Sequence, residues 1–135
     1  MLAALCLLSP LTGCSENYTH DPDLAAQKAV EFAEATFVQR DLKKGYALLA
    51  DKARAYVPIE KFRETVAAMH NGRYPGKIAV VGAAPIKGEK RVSVILRGEG
   101  AAGAFDYTLS LVGTTEAGYR VTTFNGGALS SLPAG

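Results

Sequence analysis

A chain of 135 residues has room for one domain with one core, and chains near this size bury about two thirds of the surface that their unfolded form exposes. Hydrophobic residues make up 48% and charged residues 21% of it, ordinary globular usage that argues against disorder and against a polytopic membrane protein. The formal net charge of +2, from 15 basic and 13 acidic residues spread along the chain, is too small to mark a nucleic-acid partner.

The first twelve residues carry no charge, and residues 2–8 form an apolar run. That run falls short of the roughly 20 residues a helix needs to cross a bilayer, and it reads as the apolar region of a signal peptide. Leu11-Thr12-Gly13-Cys14 then resembles the lipobox of bacterial lipoproteins: an apolar residue, two small residues that fit the peptidase cleft, and a cysteine whose thiol takes a diacylglycerol. The resemblance implies cleavage before Cys14, acylation of Cys14, and a mature chain held to a membrane by its N-terminal lipid. Ser15, where an Asp would favour the inner membrane, implies the outer membrane with the domain facing the periplasm. No Lys or Arg precedes Lys28, a departure from the basic opening of secretory signals that is expected if translation starts upstream of Met1. Cys6 and Cys14 are the only cysteines, so the domain beyond them has neither disulfide nor thiol chemistry. The expected division is a signal peptide at 1–13, a lipidated tether at 14–22, an α+β domain at 23–127 and a C-terminal tail at 128–135.

Asp21 or Pro22 opens a first helix, in which Ala26, Val30, Ala33 and Phe37 recur at spacings of four and three. Asp41 is placed to cap a second, with Leu42, Tyr46, Leu49 and Ala53 on one face and Gly45 as a helix-weakening interruption. Pro58 suits the first turn of a third, which buries Ile59, Phe62, Val66 and Met69 and ends at Asn71-Gly72. From Lys77 the period becomes two. Ile78 and Val80, then Val92, Val94 and Leu96, then Phe105, Tyr107, Leu109 and Leu111, then Tyr119, Val121 and Thr123 mark the inner faces of four strands. Glycine-bearing segments at 87–89, 98–103 and 114–118 separate them as hairpin turns do. Such alternation leaves one face packed, and the three amphipathic helices are its cover.

Three helices followed by a curved four-stranded antiparallel meander resembles the nuclear transport factor 2-like superfamily, whose sheet curls into a cone around a long first helix. The likeness is carried by Ala29-Val30-Glu31-Phe32, Arg40-Asp41, Tyr46, Pro58-Ile59-Glu60-Lys61-Phe62 and Tyr119-Arg120-Val121, over about residues 23–127. A cystatin-like arrangement is the competing architecture. The fold hosts enzymes, binders and assembly factors, so it sets no function.

Few residues suggest chemistry. Gly98-Glu99-Gly100-Ala101-Ala102-Gly103 matches a dinucleotide-binding spacing, but a strand follows it where the pyrophosphate would need a helix N-terminus. His20 and His70 are fifty residues apart with no partner at ligand spacing, so no metal and no cofactor is expected, and His70 in a last helical turn suits a cation beside the helix dipole. Some relatives in the resembled superfamily use a tyrosine and an acid inside the cone for proton transfer, and Tyr46, Tyr56 and Tyr107 are the candidates here to point inward and touch a ligand. No acid joins them: Asp106 has the wrong parity, Glu89, Glu99 and Glu116 fall in turns, and Glu31, Glu34, Glu60 and Glu64 lie off the apolar stripes. Lys43-Lys44 and Lys87 with Lys90-Arg91 are short basic clusters able to touch anionic lipid or cell-wall polymer. The expectation is a non-enzymatic envelope lipoprotein that binds a small ligand or a protein partner. The alternatives are an enzyme using inward tyrosines and a helical carboxylate, and a structural or assembly role with no ligand cavity.

Overall fold

A computed structural model of the chain describes residues 18–129; the signal peptide, Cys14 and most of the C-terminal tail read from the sequence lie outside them. Helix α1 (Pro22–Ala33) starts where Asp21 accepts the Leu24 N–H at 3.1 Å and proline takes the first helical position. It buries Ala25, Ala26, Ala29, Phe32 and Ala33, and the short alanine side chains let its axis approach the sheet closely. Glu34–Val38 continues it as a π-helical turn, with the Gln39 N–H donating to the Glu34 carbonyl five residues back. Residues five apart then share a face, which brings Phe37 edge-on to Phe32 with ring centroids 5.8 Å apart. A strict helical period had put Val30 rather than Phe32 on the buried stripe; Phe32 is in the core and Val30 only half-buried.

Asp41 caps α2 (Leu42–Ala47) through the Lys44 N–H, but the second helix does not run on to Ala53 as expected. Leu49 pairs with Val121 in a parallel bridge, and the Ala50 N–H donates to the Val121 carbonyl at 2.7 Å. An open sheet edge thus takes the backbone at 49–50, and helix resumes only as α3 (Asp51–Tyr56). Helix α4 (Ile59–His70) buries Phe62, Val66 and His70 at spacings of four and ends at Asn71 in the left-handed conformation.

Strands β1 (Lys77–Pro85), β2 (Arg91–Gly100), β3 (Gly103–Thr114) and β4 (Gly118–Ala128) form one antiparallel sheet in sequence order. The 98–103 segment is mostly strand: Gly100 pairs with Gly103 across a two-residue turn at Ala101-Ala102, so Glu99 lies in β2 and not in a turn. Val92, Val94, Leu96, Phe105, Tyr107, Leu109, Leu111, Tyr119 and Val121 face inward as their parity requires. Thr123 does not. Leu111 pairs with Val121 and Ser110 with Thr123, so Thr122 is an extra residue that flips the strand beyond it, leaving Thr123 exposed and turning Phe124 inward. Val80, next to a second bulge at Val81, pairs with inward Leu96 yet is 46% exposed against its expected burial, since β1 is an edge strand with no neighbour beyond it.

Helix α1 touches all four strands, so the sheet wraps around it. The architecture is α+β, helices on one face of an antiparallel meander, with the element order of a nuclear transport factor 2-like cone. Aromatic rings fill the interior. Phe124 lies 5.3 Å from Phe32, 6.2 Å from Phe37 and 5.6 Å from Phe62, and each such buried ring contributes about 1.5–3 kcal/mol.

Candidate functional site

The three tyrosines separate. Tyr107 on β3 is sealed inside, its ring stacked on Phe37 at 4.4 Å and its hydroxyl donating to His70 Nε2 at 2.7 Å. Tyr46 is half-buried; its ring packs against Phe62 and its hydroxyl reaches the Val57 and Arg54 carbonyls, which ties α2 to the end of α3. Tyr56 points the other way and is 86% exposed. Its position in the last turn of α3, displaced by the break at 49–50, puts it outside the cone. Tyr46, Tyr56 and Tyr107 thus do not line one common site.

His70 was missed as a core group, because its neighbours in sequence say nothing of Tyr107. It is fully buried among Phe37, Tyr74, Phe105 and Tyr107, with Nδ1–H donating to the Val66 carbonyl at 2.7 Å. Burial holds its pKa below the ordinary value, against a smaller opposite pull from that carbonyl, so a neutral ring replaces the cation expected from the helix dipole. Burial, reinforced by the Tyr74 phenol, pushes Tyr107 well above the ordinary phenol range. The two groups satisfy each other, and no carboxylate joins them: Asp106 is on the outer face, 3.1 Å from Arg97, and Glu31, Glu34, Glu60 and Glu64 are exposed. Among the described residues no group of three or more His, Cys, Asp or Glu side chains is placed to hold a metal ion.

Among the surface clefts of the described residues, two differ sharply in chemistry. One, of about 220 Å3, lies between α3, α4 and β4 and is lined by uncharged groups that include Leu49, Ala53, Val57, Phe62, Thr122 and Phe124. The bulge at Thr122 and the helix break at Leu49 build it, so neither wall was legible as a site in the sequence. Binding pockets for drug-sized molecules usually run to about 300 Å3 or more, so this one suits a single apolar group such as a partner's side chain. The other, of about 490 Å3, opens between the start of α3 and the outer face of the sheet, where Lys52, Arg91 and Arg120, with the single acid Asp51, surround Val112 and Gly113. Arg54 and Arg120 each place Nη1 about 3 Å from the Ala47 and Leu49 carbonyls, which fixes that corner.

The domain therefore belongs among α+β proteins with a filled core, a flank cleft for an apolar group and a basic cleft at one end. Comparison of the chain with protein-family models and with curated proteins found no match.

Proposed function

We propose that the protein is an envelope lipoprotein, anchored through lipid on Cys14 and facing the periplasm from the outer membrane, whose domain binds a small ligand or a protein partner without catalysing a reaction. The lipobox-like Leu11-Thr12-Gly13-Cys14 carries this reading, since acylation decides where everything else works. Several acyl chains, at about 0.8 kcal/mol per buried methylene, anchor stably without a membrane-spanning segment. The apolar flank cleft supports non-covalent binding, and the mutual satisfaction of His70 and Tyr107 away from any carboxylate weighs against proton transfer. Cys14→Ser is expected to abolish fatty-acid labelling and release the protein from membranes; unchanged labelling sinks the reading.

One observation favours a partner over a small molecule. Phenylalanines occupy the cone where a ligand cavity would lie, which supports a structural or assembly role exercised at the surface. Crosslinking in membranes is expected to capture a reproducible envelope protein, while native mass spectrometry of the lipidated chain finding a bound small molecule in its place would reverse that preference.

A further inference from the structure

The start of the described chain is pinned to one pole of the sheet. Thr115 donates to the Thr19 carbonyl through both its N–H, at 2.9 Å, and its hydroxyl, at 3.0 Å. Tyr119 O–H donates to His20 Nδ1 and accepts the Asp21 N–H, while His20 Nε2–H donates to the Glu89 carbonyl. Residues 19–21 therefore run between the β1–β2 turn and the β3–β4 turn. Covalent geometry limits the four residue steps from Cys14 to Tyr18 to about 14 Å, whatever their conformation. A lipid on Cys14 would hold this pole at the bilayer, at a distance comparable with the Debye length of about 10 Å.

The same pole carries Lys87, Lys90 and Arg91 on the β1–β2 turn and the start of β2, with Lys52 and Arg120 across the basic cleft. Three of its acids have partners: Asp51, on the rim of the basic cleft, is exposed but paired with Arg54, Arg91 lies 3.7 Å from Glu89, and Asp21 caps α1, so the cleft stays net positive. Glu116 at the tip of the β3–β4 turn and Asp23 on α1 are the others. We infer that the tether-bearing pole rests on anionic phospholipid headgroups of the bilayer that anchors Cys14, with the Lys52, Arg91 and Arg120 cleft receiving a headgroup phosphate. This rests on the lipoprotein reading. It would fix the orientation of the domain, turning the flank cleft sideways and the Ala101-Ala102 turn away from the membrane.

The test is lysine acetylation footprinting of the lipidated chain in vesicles of phosphatidylcholine alone and of phosphatidylcholine with about 30% phosphatidylglycerol. Lys52, Lys87 and Lys90 are expected to react at least about threefold more slowly on the anionic vesicles, while Lys43, Lys44 and Lys77 keep their rates, and about 0.5 M salt should erase the difference. Lys87→Glu with Lys90→Glu should remove the protection of Lys52; Lys43→Glu with Lys44→Glu should leave it. Equal footprints on both compositions overturn the inference. Fatty-acid labelling of the same preparation separates the two ideas: acylated Cys14 with equal footprints removes the docking alone, and unacylated Cys14 removes both.

Discussion

Burial holds the His70 imidazole below its ordinary pKa, so the folded chain refuses a proton that the unfolded chain accepts near pH 6.5. The stability tied to this group is complete above about pH 6.5 and is lost as pH falls below it toward the depressed folded value. Urea unfolding should show the loss as pH falls below about 6.5, and His70→Gln, costing about 1–3 kcal/mol at neutral pH, should flatten the profile there. A variant as steep as the parent would refute the assignment. Gly45 explains itself in the same way, through a neighbour. A Cβ there would strike the Thr36 hydroxyl, which is buried with no hydrogen-bond partner among the described residues. Gly45→Ala should therefore destabilise by about 1–3 kcal/mol despite the better helix propensity of alanine, and adding Thr36→Ala should recover part of the loss in a double-mutant cycle.

Among the elements, β4 bears tight backbone constraints at two successive glycines, Gly126 and Gly127. Gly127 has φ 136°, and a Cβ on it would run into the Met69 carbonyl at the end of α4. Gly127→Ala is expected to cost more than about 2 kcal/mol in denaturant unfolding, whereas Gly82→Ala, with open space around the site, should stay within about 0.5 kcal/mol. Equal effects would mean that β4 does not pass as close to α4 as the structure has it. Helix starts at Asp21, Asp41 and Pro58 and the parity of β2 and β3 were legible, because caps and alternation act within a few residues. The break at Leu49, the flip after Thr122 and the π turn at Glu34–Val38 were not, because each answers to a distant strand or ring.

At the scale of the whole molecule, Tyr119 joins the N-terminal segment to the sheet. Its hydroxyl, on a ring 4% exposed, serves residues nearly a hundred positions away. Tyr119→Phe removes both bonds and should lower stability by about 1–2 kcal/mol and speed amide exchange at Asp21; an unchanged exchange rate would show that the segment is held by other means.

The amino-acid order alone determined the class of fold, three of the helix starts, most of the sheet's inward face and the absence of thiol chemistry beyond Cys14, since these depend on local periodicity and composition. Only the tertiary structure decided which tyrosines are enclosed, that His70 is a neutral core group, and that the cone is filled. Those outcomes depend on pairs such as His70 with Tyr107 and Leu49 with Val121, whose free energy exists only once chain folding has brought remote residues into contact.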